Sequence, residues 1–133
     1  MNIKLEDLEI NNYKIYQDKD SFNFGIDAVL LANFAIRNYG MLDKSELKIC
    51  DLCSGNLPIP LIIYAKRKEY LCESISIDAY EIDKDQVALA NKSLIENMNS
   101  VPDAKDITYD ISVHNVDIKD IRSFCEKHVA DNI

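Results

Sequence analysis

One stretch limits what this chain can fold into: Lys48-Ile49-Cys50-Asp51-Leu52-Cys53-Ser54-Gly55-Asn56-Leu57-Pro58-Ile59-Pro60. A short apolar run ends in an acid, crosses a small-residue turn with one glycine, and opens a second apolar segment. That is the pattern of a β-strand delivering a tight loop to a helix N-terminus in an open α/β sheet. With 133 residues the chain forms one domain with a real core, spanning 1–133, in which residues 1–40 read as an N-terminal lid or support.

The flanking segments fit that plan. Residues 1–20 are polar and irregular, with a short extended candidate at Tyr13–Tyr16. A helix follows over Ala28–Ile36, with Asp27 as its N-cap and Gly40 just past its end; being apolar nearly all round, it is expected to be buried. Leu47–Leu52 is the first strand and Ile59–Lys68 the helix after the loop. Ser74–Ile82 alternates as a second strand, and Asp83 caps a helix to about Met98, with Val87, Ala90, Leu94 and Met98 on one face. Pro102 bars its continuation through the loop 99–105. Tyr109–Val116 reads as a third strand, Ile118–Lys127 as a short helix, and Val129–Ile133 as the opening of a fourth strand. Helices alternating with strands imply a parallel sheet.

Composition narrows the partners. A formal charge of −8, from 23 acids and 15 bases, disfavours strong nonspecific binding of nucleic acid or anionic membrane by this segment. No apolar run approaches the roughly 20 residues that span a bilayer, and the first ten residues carry no signal-peptide pattern. The chain reads as a soluble cytoplasmic protein. Cys50 and Cys53 have CxxC spacing, but no second Cys/His pair follows and His114 and His128 stand alone, so no metal site is expected. Free, mostly buried thiols fit Cys50, Cys53, Cys72 and Cys125.

Three acids, Asp51, Glu81 and Asp117, fall at or just beyond the ends of successive strands, where open α/β sheets bind ligands. An acid roughly 20 to 30 residues past the loop, ending the second strand, sits where a ribose-hydroxyl acceptor belongs. Glu81 fits that position, and Asp117 is placed for an adenine amine.

Asp51-Leu52-Cys53-Ser54-Gly55-Asn56, followed by Ile59-Pro60-Leu61, resembles the cofactor loop of S-adenosylmethionine-dependent methyltransferases. Tyr13–Asp18, with Phe22-Asn23-Phe24-Gly25-Ile26-Asp27 and the apolar run to Phe34, is similar to the N-terminal segment of the bacterial adenine-N6 methyltransferases that modify valine tRNA. The resemblance implies a Rossmann-like class I methyltransferase fold, truncated after about three parallel strands, with an N-terminal helical segment. It implies S-adenosylmethionine as cofactor, with Asp51, Cys53, Ser54, Gly55 and Asn56 along the methionine part. Glu81 would hold the ribose, Ile82 would lie against the adenine and Asp117 would meet its amine. Phe24 and Asp27 would close the pocket. A tRNA or other RNA substrate is implied for the full-length family, with its contacts outside this acidic segment.

Two departures from the family pattern bear on activity. Leu57 stands where family members carry glycine, and Pro58 where they carry a residue with an N–H; weakened cofactor binding is the expected result. The family's catalytic Asn-Pro-Pro-Tyr is absent, so the chain is not expected to catalyse alone. The alternative is a degenerate, non-catalytic module that self-associates through an incomplete sheet or binds a partner chain. A dinucleotide-dependent oxidoreductase would want G-x-G-x-x-G after the first strand, and the loop offers one glycine.

Overall fold

A computed structural model describes residues 1–21, 25–40, 46–69 and 74–131. Phe24 and Cys72, singled out above, lie outside the described residues.

The chain begins with a hairpin rather than an irregular tail. β1 (Ile3–Asp7) pairs antiparallel with β2 (Lys14–Asp18), Leu5 opposite Tyr16. The connecting turn uses positive φ at Glu9, Asn11 and Asn12, and the asparagines tolerate that conformation well. The expectation of an extended segment at Tyr13–Tyr16 falls on β2, but β1 is an addition: Ile3 and Leu5 alternate among charged neighbours, a weak strand signal.

The second edge of β2 is sealed by side chains instead of a third strand. Asn97 Oδ1 accepts from the Lys14 N–H at 2.8 Å, and its Nδ2 donates to the Lys14 carbonyl at 2.8 Å. Ser93 Oγ accepts from the Tyr16 N–H at 2.8 Å, and Asn56 Nδ2 donates to the Tyr16 carbonyl at 2.8 Å. Ser93 and Asn97 are fully buried on the helix over Lys84–Ser100, so their polar atoms must be bonded, and the backbone of β2 supplies the partners.

The main sheet is parallel in the order β3 (Glu46–Leu52), β4 (Ser74–Glu81), β5 (Ile111–Asn115), with Asp51 opposite Ala79 and Ala79 opposite Val113. With its helices this is a Rossmann-like arrangement of three strands. Strand alternation sends Leu47, Ile49, Ile75, Ile77, Ala79, Ile111 and Val113 to one face, where they form the core with α2 (Pro58–Ala65) and α3 (Lys84–Ser100). The other face carries Glu46, Lys48, Cys50, Ser74, Ser76, Asp78, Ser112 and His114. Among the described residues α5 (Ile121–Asp131) packs on one end of it, Phe124 meeting Tyr80 and His114 at ring separations of 6.1 and 5.2 Å, while Glu46, Lys48, Cys50, Ser74, Ser76 and Ser112 stay exposed.

Several expectations are corrected. α1 (Ile26–Ala35) starts one residue before Asp27, which is a first-turn acid; Gly25 is the N-cap. Only Ala32 on α1 is buried, while Ile26, Leu30 and Phe34 are 76, 61 and 60% exposed. Its inner side packs on α2, and the described residues offer nothing to cover the outer one. After Ala35 the helix widens into a π turn over Ile36–Gly40. α2 stops at Ala65, and Arg67–Glu69 form a tighter 3₁₀ turn, Lys66 N–H bonding both Ile62 and Ile63 carbonyls.

On α3 the buried stripe runs Leu89, Ala90, Ser93, Leu94 and Asn97; Val87 and Met98 are only partly buried. Residues Ile107–Asp110 form a single helical turn, α4, because the N–H groups of Tyr109 and Asp110 both bond the Asp106 carbonyl; β5 therefore begins at Ile111. Helix α5 continues through Asp131, so the stretch read as a fourth strand is helical up to that point; 132–133 lie outside the described residues. Cys50, Cys53 and Cys125 are exposed rather than buried, Cys50 because its position in β3 points to the polar sheet face. Partial desolvation against the sheet, and then the nearby acid Asp78, still raise the Cys50 thiol above its usual range.

Candidate functional site

The C-terminal ends of β3 and β4 are held close by the loop between β3 and α2. Ser54 N–H donates to the Tyr80 carbonyl at 2.9 Å, and Leu57 N–H to the Ser54 carbonyl at 3.0 Å, closing the turn. Cys53, Gly55 and Leu57 have φ of 59°, 58° and 78°, so every second residue is left-handed and the backbone coils tightly. Glycine meets this demand freely at position 55, and no atom lies within 4 Å of where a Cβ there would sit.

Leu57 meets the demand at a cost, but its side chain is fully buried among Leu61, Ile62 and the rest of the core. It does not line the cavity described below. The left-handed backbone at this leucine is therefore accommodated from beneath the loop. Pro58 is the first residue of α2, where an N–H has no helical partner to lose.

A cavity of about 470 Å³ opens at the strand ends. Asp51, Cys53, Ser54, Gly55, Asn56 and Glu81 line it together with Asp27, so seven of the residues singled out from sequence meet in one place. Pro58 and Ile59 at the start of α2 also contribute. Ile82 and Asp117 do not line it. Ile82 is 63% exposed beyond the end of β4. Asp117 caps the turn ahead of α5, its Oδ1 accepting from the Lys119 N–H at 3.0 Å.

Sequence reasoning missed Ser21, Ala28, Leu31 and Gln86 as lining residues and read Asp83 only as a cap. The spacing Asp83-x-x-Gln86 at a helix start was the available signal, because a first turn following β4 faces the strand ends. Leu31 had been absorbed into the apolar run of α1.

Glu81 is the centre of the wall. One carboxylate oxygen accepts from the Gly55 N–H at 2.8 Å and the other from the Asp83 N–H at 2.8 Å, so the side chain is fixed across the loop and the α3 N-terminus. Charge-assisted bonds of this kind are strong and leave lone pairs on each oxygen for a ligand. Asp51 differs. Its Oδ2 is buried without a hydrogen-bond partner among the described residues, as is Ser54 Oγ. Burial, and then repulsion from Glu81, push the Asp51 carboxyl up to about 6. Asp27, Asp51, Glu81 and Asp83 all line the cavity, and among the described lining residues none is Lys, Arg or His.

Among the described residues no group of three or more His, Cys, Asp or Glu side chains is arranged to hold a metal. No described helix is long and apolar enough to cross a membrane.

No protein-family profile matches the chain. No curated protein matches it. Among solved structures it is similar to coclaurine N-methyltransferase bound to N-methylheliamine and SAH, at 15% identity and a TM-score of 0.46. That alignment covers 78% of this chain and 26% of the other, so the chain spans about a quarter of that enzyme's length.

Proposed function

We propose that this chain binds S-adenosylmethionine as the cofactor half of an adenine-N6 methyltransferase acting on RNA, of the bacterial valine-tRNA kind that its N-terminal block resembles. One observation carries the cofactor reading: the cavity at the strand ends is walled by four carboxylates, Asp27, Asp51, Glu81 and Asp83, with no cationic side chain among its described lining. A dinucleotide brings a pyrophosphate, which favours N–H donors and cations and would be repelled here. A ligand carrying a sulfonium and an ammonium instead finds the charge it needs.

The residues present fit that group. Glu81 is fixed by two backbone N–H groups and keeps acceptor capacity for ribose hydroxyls. Asp51 Oδ2 and Ser54 Oγ are buried polar atoms awaiting a partner, and the open space at Gly55 admits close approach. Bound there, S-adenosylmethionine supplies an activated methyl group. The chain's own part is to bind and orient it, since the sequence contains no Asn-Pro-Pro-Tyr to hold a target amine. The RNA and its adenine rest on the sequence resemblance of Tyr13–Asp18 and Phe22–Phe34.

The second reading, a non-catalytic module, is favoured by one feature, an edge of β3 that no strand pairs with among the described residues. Calorimetric titration separates the two. S-adenosylmethionine is expected to bind, NAD to bind at least tenfold more weakly, and Glu81→Ala to lower affinity for the former at least tenfold. No heat at millimolar S-adenosylmethionine with a folded protein, or tighter binding of NAD, would overturn the cofactor reading.

A further inference from the structure

Of the four carboxylates that wall the cavity, three are answered by backbone N–H groups or by a helix N-terminus. Glu81 accepts from the Gly55 and Asp83 N–H groups. Asp83 caps α3, its Oδ1 accepting from the Asp85 N–H at 2.9 Å, and Asp27 stands in the first turn of α1. Asp27 and Asp83 are also exposed, so water and salt screen them. Asp51 has neither advantage. It sits at the end of β3 and is half-buried, and its Oδ2 has no hydrogen-bond partner among the described residues. Burial, and then repulsion from Glu81, hold its carboxyl up to about 6, the mark of a charge that its surroundings leave unbalanced.

We propose that Asp51 makes this cavity select S-adenosylmethionine over its demethylated product, S-adenosylhomocysteine, an inference that rests on the cofactor reading above. The two ligands share the adenine, the ribose and the amino-acid end, so those contacts cancel in the ratio of their affinities. They differ by one methyl group and by the charge on sulfur, a sulfonium in the first and a neutral thioether in the second. The methyl alone is worth roughly fourfold. The charge adds to that where an unbalanced carboxylate acts from a half-buried position, since attraction there is screened far less than in bulk water.

Ser54 marks the same cavity as a place built for a ligand. It is almost fully buried, it lines the cavity, and its Oγ has no partner among the described residues. Among the described lining residues no Lys, Arg or His offsets the Asp51 charge and levels the two ligands. The preference has a direction. A ligand held partly by its sulfonium is held less firmly once that charge is gone, so the cavity favours exchange of the product for fresh cofactor.

Calorimetric titration of the full chain with each ligand at pH 7.5 tests it, with circular dichroism verifying the fold of Asp51→Asn. The wild type is expected to bind S-adenosylmethionine more tightly than S-adenosylhomocysteine by about twentyfold or more. Asp51→Asn leaves the methyl contact alone, so the ratio is expected to fall to about fourfold through weaker binding of S-adenosylmethionine, with S-adenosylhomocysteine within about threefold of its wild-type affinity. Should the variant misfold, the wild type decides with the analogue that carries a protonated amine in place of the sulfonium, expected to bind more tightly than S-adenosylhomocysteine by about fivefold or more. Equal affinity of the wild type for cofactor and product, a ratio that Asp51→Asn leaves unchanged, or an amine analogue no tighter than the thioether would each overturn the inference and leave the cofactor reading standing. No binding of either ligand to the folded chain would overturn both.

Discussion

Leu57 offers a direct measurement of how this loop is held. It adopts φ 78° and ψ 33°, a left-handed conformation costing a non-glycine residue roughly 1–2 kcal/mol. Its side chain is fully buried in the core. Leu57→Ala keeps the unfavourable backbone and loses the packing, about 2–5 kcal/mol for a buried leucine. Leu57→Gly loses the same packing but relieves the backbone, and gives back roughly 0.4–1 kcal/mol through the greater freedom of the unfolded chain. The glycine variant should therefore be more stable than the alanine variant by about 1 kcal/mol, the reverse of their order inside a helix. In a chain of this size that is a melting difference of about 3–5 °C. Urea denaturation followed by circular dichroism, with unchanged m-values, measures it. Because the side chain lies in the core and not in the cavity, Leu57→Gly should leave S-adenosylmethionine affinity within about twofold. An alanine variant as stable as the glycine one would refute the backbone argument. A tenfold gain in affinity with glycine would refute the placement of the side chain.

Three further outcomes are expected. The Asp51 carboxyl, raised to about 6 from an ordinary 3.8, costs nothing while protonated in both states and destabilises the fold progressively as pH rises from about 4 to about 6. Asp51→Asn should then raise the melting temperature at pH 7.5, by up to about 3 kcal/mol in stability, and change little at pH 4; equal gains at both would show that ionisation is not the cause. A cationic ligand draws Asp51 into its ionised form, so S-adenosylmethionine affinity should climb between pH 5 and about 7 and then level off, as calorimetry at several pH values would record. Asn97→Ala leaves the N–H and C=O of Lys14 without their partners and should cost about 2–4 kcal/mol; a loss under 1 kcal/mol in a denaturant titration would show that water replaces the amide.

The parts legible in the sequence were those where local pattern and tertiary role coincide. The run Ile49-Cys50-Asp51-Leu52 is short and apolar, Asp83 is a helix cap, and both are where the pattern places them. The loop residues and Glu81 were legible as a group because strand ends converge in any parallel sheet. The misreadings have common causes. Tyr109 is a good strand former, but two bonds to the Asp106 carbonyl hold it in a helical turn. Val129 has strand propensity and yet continues α5, since an established helix adds residues at little cost. The apolar circumference of α1 announced burial without saying that one side would go uncovered. Nothing in the spacing of Asn56, Ser93 and Asn97 announced that they would jointly complete the edge of β2.

That sealed edge makes the hairpin and the loop a single mechanical unit. Asn56 belongs to the loop that shapes the cavity, yet its amide holds the Tyr16 carbonyl in the hairpin, while Ser93 and Asn97 tie the same strand to α3. The first eighteen residues therefore cannot be trimmed as a dispensable leader. Their removal would strand three buried polar side chains at once, and a change in the hairpin would reach the cavity through one amide without passing through the core.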